Sequence, residues 1–283
     1  MRLLADETGG GSGEAVRLER ARGHVNIAFR RADGADRLQT FFQQGSAKVR
    51  LPRVEPGMPP EAVLINTAGG VTGGDHLLYE IGVGEGASLV ATTQAAERIY
   101  RRSSGTGVVE TRLSLGANAR LDWLPQETIL FDSSALSRRL DADLGAGSVL
   151  TAVESLVFGR AAMGETVRRV ELADRWRIRR QGRLVYADGV MIEGDAEATF
   201  AGGATGAGGR AAATILRIAE DAADKRDAVR DLIPSLPGEI GTSAFAGLLA
   251  VRILAPSGQA LRQALMPLLE LLCGRPLPRV WHC

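Results

Sequence analysis

Glycine constrains this chain more than any other feature. There are 35 glycines in 283 residues, and they fall between short runs of β-branched and apolar residues. A glycine lets the backbone take positive φ without steric cost, so a chain punctuated this often turns often and builds many short strands. Strands are expected over Val16–Arg31, Ser46–Leu51, Ala62–Asn66, Leu77–Val83, Ser88–Thr93 and Val108–Leu115. More follow over Arg120–Leu124, Thr128–Asp132, Leu136–Leu144, Ser148–Phe158, Thr166–Arg180, Arg183–Ile192, Thr214–Glu220 and Ser243–Leu254.

Only two segments read as helical, both near the C-terminus. Asp221–Ile233 has a charged side opposite Val229, Leu232 and Ile233, and stops at Pro234. Ser257–Cys273 has an N-cap serine, apolar residues at Leu261, Leu265, Leu268 and Leu272, and Gly274 placed as C′. Pro267 inside it predicts a kink, since an interior proline removes a hydrogen bond. Strands do not alternate regularly with helices, which argues against Rossmann and TIM architectures. The expectation is a mainly β fold: one large multi-stranded structure with a small helical part. A single domain over 1–283 is expected, flexible at 1–13 and in the Gly/Ala loop 201–209, with no convincing internal repeat of 20–50 residues.

Charge and cysteine exclude several functions. Lys and Arg total 34 against 33 Asp and Glu, a net charge of +1, so no basic excess drives nucleic-acid binding. The two cysteines, Cys273 and Cys283, form neither a disulfide framework nor a CxxC knuckle. No apolar run reaches the roughly 18 residues of a membrane span, and Met1–Gly13 lacks the apolar core of a signal peptide. A soluble, cytoplasmic protein is expected. His24, His76 and His282 are the only histidines, with no HExxH or paired-ligand spacing, so no tight metal cage is expected.

The glycine-paired segment from Asn66 to Asp75 is no P-loop, since no Gly-Lys-Ser/Thr follows, and no dinucleotide fingerprint. A tight connection is its ordinary reading. Carboxylates say more. Period-two geometry sets Glu154 on a face with Leu150, Ala152, Leu156 and Phe158, and Asp188 on a face with Leu184, Tyr186, Val190 and Ile192. Glu127 shares its side with Ile129 and Phe131. A buried carboxylate must be paired, hydrogen-bonded or bound to a cation. These acids are therefore either partners of internal arginines, such as Arg160, Arg168 and Arg180, or the lining of a polar route for a divalent cation.

Four segments carry a family resemblance: Thr92-Thr93-Gln94-Ala95-Ala96-Glu97-Arg98-Ile99-Tyr100-Arg101, Leu121-Asp122-Trp123-Leu124-Pro125-Gln126-Glu127-Thr128-Ile129-Leu130-Phe131, Phe158-Gly159-Arg160-Ala161-Ala162-Met163-Gly164-Glu165 and Pro278-Arg279-Val280-Trp281. In order and spacing, from about Ala62 to the C-terminus, the chain resembles the urease accessory protein UreD (UreH) family. The resemblance implies a β-helical fold and a non-enzymatic role: binding urease apoprotein and the accessory proteins UreF and UreG, the latter a GTPase that carries nickel. It implies Ni(II) as transient cargo, passed to the urease active site along an internal route, with no tightly bound cofactor. By family motif the transit residues would be Asp75, Glu97, Glu127, Glu165 and Asp188; strand register alone adds Glu154. At Asp75 a turn cap is the alternative role, and at Glu97 and Glu165 an ion pair. Arg98, Tyr100 and Arg101 suit a partner interface or an internal network equally.

Two other readings stay open. One is a urease-binding scaffold that carries no metal. The other is a β-rich hydrolase using Asp75, His76 and Glu127, which requires the three to converge within hydrogen-bond reach.

Overall fold

The computed structural model describes residues 19–160 and 163–282. The chain opens with a hairpin, β1 (Arg22–Ala32) and β2 (Ala35–Gly45), then crosses to a second sheet as β3 (Ala47–Arg50) and returns antiparallel as β4 (Glu61–Asn66). From there it coils between the two sheets. β5 (His76–Val83), β6 (Ser88–Thr93) and β7 (Glu97–Ile99) make one coil. β8 (Gly107–Leu115), β9 (Arg120–Leu124) and β10 (Thr128–Leu130) make the next, followed by β11 (Ser134–Leu144) and β12 (Val149–Phe158). Like strands of successive coils pair in parallel, a β-solenoid arrangement.

The far end is closed by antiparallel pairs. β13 (Val170–Arg180) and β14 (Arg183–Gly194) finish the first sheet, whose order is β14-β13-β11-β8-β5-β1-β2. After a short helix, α1 (Ala196–Ala201), come β15 (Ala211–Ile218), α2 (Ala222–Leu232), β16 (Glu239–Phe245), β17 (Leu248–Ala255) and α3 (Gly258–Cys273). The second sheet runs β16-β17-β15-β12-β9-β6-β4-β3. Mainly β, with helices near the C-terminus, is the architecture expected from glycine spacing.

Several details differ from expectation, each for a physical reason. An internal repeat does exist: register stacks Val83, Leu115 and Leu144 in one row, roughly thirty residues per coil. What recurs is a backbone turn. Gly86, Asn118 and Gly147 stand at the same corner of each coil with φ of 63°, 54° and 64°. The amides of Gly86 and Asn118 donate to Ala117 O and Ala146 O of the following coil, both at 2.8–2.9 Å. Asparagine tolerates the left-handed region better than most residues, so the repeat survives without a repeated glycine. The anticipated strand Val16–Arg31 begins outside the described residues and is seen as Arg22–Ala32. Its partner β2 was not anticipated, because its side chains are largely exposed on both faces and show no alternation. Ser243–Leu254 is not one strand but a hairpin, broken where Ala246 and Gly247 take φ of 47° and 74°. α1 was also not anticipated; Asp195 caps it, accepting from Ala198 N at 2.9 Å. The 201–209 stretch follows as a series of hydrogen-bonded turns. Residues 1–13 lie outside the described part.

Two apolar layers result. Inward side chains of both sheets form the first, including Ile27, Ile81, Leu89, Leu121, Leu136 and Leu150. The second lies between the outer face of the second sheet and the helices, where α3 buries Leu261, Leu265, Leu268 and Leu272. Its caps match expectation: Ser257 Oγ accepts from Ala260 N at 3.2 Å, and Gly274 has φ of 68°. The helix continues through Pro267.

The C-terminal segment is sewn onto this layer. Trp281 is buried; its Nε1 donates to Thr92 Oγ1 at 3.1 Å and its ring lies 5.1 Å from the Arg262 guanidinium. Gln126 Nε2 donates to Gln94 O and Val280 O at 2.9 and 3.0 Å. Three of the four motif segments thus meet at one place. Trp281→Ala removes a fully enclosed ring and leaves Thr92 without its donor. It should lower the unfolding free energy by about 4 kcal/mol in denaturant titration; a loss below about 1 kcal/mol would show that the terminus is not part of the cooperative core.

Candidate functional site

A cluster of three charged side chains, Arg138, Glu154 and Asp174, is buried between the sheets. On β11 the inward row reads Leu136, Arg138, Leu140, Ala142 and Leu144; on β13 it reads Leu172, Asp174, Trp176 and Ile178. Glu154 faces them from β12, between Ala152 and Leu156, as its register predicts. The Arg138 guanidinium lies 2.5 Å from Glu154 Oε2. It also donates to both oxygens of Asp174, at 3.2 and 2.7 Å, and to Thr128 Oγ1 at 3.0 Å. Trp123 Nε1 donates to the other Glu154 oxygen at 3.2 Å. One arginine serves two carboxylates in a region with 5% exposure at Arg138 and Asp174 and 7% at Glu154. Burial pushes the Glu154 carboxyl above its ordinary range; Arg138 opposes the rise and the Asp174 charge adds to it.

Glu97 is held differently. Asn66 Nδ2 donates to both its oxygens at 3.2 Å, and Arg98 N donates at 3.2 Å. Burial outweighs these bonds and the Arg98 charge, pushing the carboxyl up to about 7. The neighbouring Tyr79 phenol stays un-ionised far above its usual range, for the same burial and because Glu97 lies near.

Three cavities share walls along a line through these groups. The first, of about 140 Å³, is lined by Asn66, Gly69, Tyr79, Thr93, Gln94 and Glu97, among others, and reaches the surface at the exposed Gly69 and Gln94. Tyr79, Thr93 and Glu97 also line the second, about 50 Å³, whose other walls include Thr111, Trp123, Thr128, Arg138 and Glu154. Arg138 and Glu154 in turn line the third, about 290 Å³, with Asp174, Trp176, Asp188, Val190 and Arg252. At its outer end Asp188 Oδ2 accepts from Arg252, at 2.7 Å, and from Tyr186 OH, at 2.9 Å; Arg252 is 56% exposed. Glu97, Glu154 and Asp188 therefore line three neighbouring cavities that have lining residues in common.

Of the other acids named from sequence, Glu165 lines a further cavity of about 200 Å³ that has Phe158 and Phe200 in common with the third, whereas Asp75 and Glu127 line none of these cavities. Asp75 is a turn staple, accepting from Thr72 N at 2.8 Å and Ala21 N at 2.7 Å. Glu127 is buried against Arg262, which donates at 3.0 Å, beside the C-terminal seam. Glu165 accepts from Arg160 Nε at 2.8 Å and from Asp132 N at 3.2 Å; these bonds hold its carboxyl below the usual range. Part of its motif, Ala161 and Ala162, is outside the described residues. The hydrolase constellation does not assemble. His76 points to the outer face of β5, with Nε2 2.9 Å from Glu110; the side chains of Asp75, His76 and Glu127 bond to different partners and line none of the three cavities. Among the described residues no group of three or more His, Cys, Asp or Glu is placed to hold a metal ion.

The Gly69–Gly70 turn borders the first cavity. A Cβ at Gly70, whose φ is 157°, would lie 2.2 Å from the Tyr100 ring, so the close approach requires glycine. Tyr100 OH donates to Gly69 O at 3.1 Å, and Arg101 lies 3.7 Å from Asp132, which gives both residues internal contacts. Sequence reading missed Arg138 and Asp174, although each breaks an otherwise apolar inward row as Glu154 does.

A model of the UreD urease accessory protein family matches residues 21–282. A urease accessory protein UreD of Methylobacterium sp. (strain 4-46) is 46% identical over 272 residues, covering 94% of this chain and 96% of its own length. The protein of that name from Agrobacterium fabrum is 45% identical over 271 residues, with 95% and 94% covered. That of Rhizobium rhizogenes is 46% identical over 269 residues, with 95% and 97% covered.

The raised Glu97 carboxyl has a pH signature. Its folded pKa of about 7 exceeds the ordinary 4.5, so folding favours the protonated form. That contribution is complete below the unfolded value and disappears as pH rises through 7. Glu97→Gln should therefore stabilise the protein at pH 8, by about 1–3 kcal/mol, and change little at pH 4.5. Equal effects at both pH values in denaturant titration would rule out the raised carboxyl.

Proposed function

The chain belongs to the UreD family of urease accessory proteins, and on that premise we propose that it is a non-catalytic maturation factor through which nickel(II) passes to urease. It docks on urease apoprotein on one side and on UreF, with its UreG partner, on the other. The observation that supports this reading is the group of three cavities with lining residues in common, at which Glu97, Glu154 and Asp188 stand.

The donor chemistry suits transit. A cation held by several thiolates or imidazoles leaves slowly, whereas one carboxylate and water at each stop release it readily. Among the described residues no arginine forms an ion pair with Glu97, and burial raises its carboxyl to about 7, so that it gains a proton more readily than an exposed acid. It can exchange that proton for an arriving ion. Thr93, Thr111, Thr128 and Tyr79 supply neutral oxygens along the narrow middle section. Exposed apolar side chains favour the scaffold part of the role. Leu38, Phe41 and Phe42 sit on β2, Leu184 and Met191 on β14, and Phe245 on β16, all edge strands. Strand edges and apolar patches of this kind are ordinary sites of partner contact.

The ion pairs at Glu127, Glu154, Glu165 and Asp188 favour a second reading, a urease-binding scaffold that conducts no metal. Coexpression with the urease structural genes at limiting nickel separates the two. Omitting this chain should leave urease present but nickel-poor and inactive. Val190→Trp should fill the third cavity and cut activation about tenfold or more, while the chain still folds and still co-purifies with urease. Full activation by a folded Val190→Trp would leave only the scaffold.

A further inference from the structure

We infer that Arg138 is the internal counter-ion that stops the passage from retaining its cargo, a reading that rests on the proposed passage of nickel. Its position is the first argument. Arg138 forms part of the wall common to the second and third cavities, so an ion moving from Glu97 toward Asp188 must go by its guanidinium.

The second argument is stoichiometry. Glu127 and Asp188 each have one arginine, Arg262 and Arg252. Glu154 and Asp174, which approach from opposite sheets, share one. With both carboxylates ionised the cluster has one negative charge more than its guanidinium balances, an excess that burial of Glu154 reduces by favouring its protonated form and that an arriving cation would restore. Without the guanidinium, two facing carboxylates in a low-dielectric cavity would form a lasting oxygen-donor site, because affinity for divalent cations rises with the number of charged ligands. The guanidinium occupies the space between the carboxylates and competes for them. Its contacts with Thr128 and Asp174 give it a resting place when Glu154 turns to a passing ion. Arg138 therefore trades affinity for release.

The test uses the full chain and nickel(II) chloride. Wild type, Arg138→Gln and Arg138→Gln combined with Glu154→Gln are loaded, desalted and analysed for metal, with folding checked by thermal melting. Wild type should retain little nickel. Arg138→Gln should retain about one ion per chain and bind about tenfold or more tightly in calorimetry, and the added Glu154→Gln should abolish the gain. In reconstitution with urease apoprotein, Arg138→Gln should slow activation at limiting nickel, and excess nickel should restore it. If Arg138→Gln does not fold, Arg138→Lys replaces it; this variant keeps the charge, loses the two-pronged contact with Asp174 and should show a smaller gain in retention. A folded variant that retains no more nickel than wild type overturns the inference. Should Val190→Trp still block activation in that case, the passage stands without the role given to Arg138. Normal activation by Val190→Trp brings down the passage itself.

Discussion

A carboxylate withdrawn from water must be answered by a cation, by hydrogen-bond donors or by a proton, and this requirement organises the space between the two sheets. The coils would pack as a plain apolar sandwich were their inward rows not interrupted at Arg138, Glu154, Asp174 and Asp188. Each interruption has a different answer. Asp174 and Glu154 share Arg138, Asp188 has Arg252, and Glu97 has the Asn66 amide and the Arg98 N–H, with burial raising its carboxyl. Polar side chains pack less completely than Leu or Ile, and cavities remain where they meet. The interior charge and the internal space are thus one feature.

The solenoid makes this tolerable. Parallel strands stacked coil on coil satisfy their own backbone groups, and the helical layer with its Trp281 seam covers the back of the second sheet. The stacked strands hold the acids apart, and among the described residues no group of three or more His, Cys, Asp or Glu is placed to hold a metal. A cage and a conduit need opposite arrangements of similar groups: converging in the first, strung out in the second. Glu97, Glu154 and Asp188 are strung out.

Much of this could be read from residue order, and the failures are instructive. Glu154 and Asp188 face inward as period-two alternation predicts, but a bulge at Val185 turns Leu184, expected on the same face as Asp188, out to solvent. The same rule, applied to Leu136, Leu140 and Ala142, places Arg138 in that inward row as well. β2 offered no such pattern, since an edge strand exposed on both faces has none. The coil repeat was hidden because it resides in backbone conformation, with Asn118 doing the work of Gly86 and Gly147. Which acids border cavities was beyond sequence altogether: Asp75 stands in a motif as Glu97 and Glu165 do, yet it staples a turn while the other two line cavities.

The most direct measurement is anomalous diffraction at the nickel edge from crystals of this chain bound to urease apoprotein and soaked in nickel(II). The account predicts anomalous density inside the protein, beside Glu97 and along the cavity between Glu154 and Asp188. Density found only at surface groups, such as His24 and His76 on the outer sheet face, with the interior empty at every nickel concentration, would contradict it.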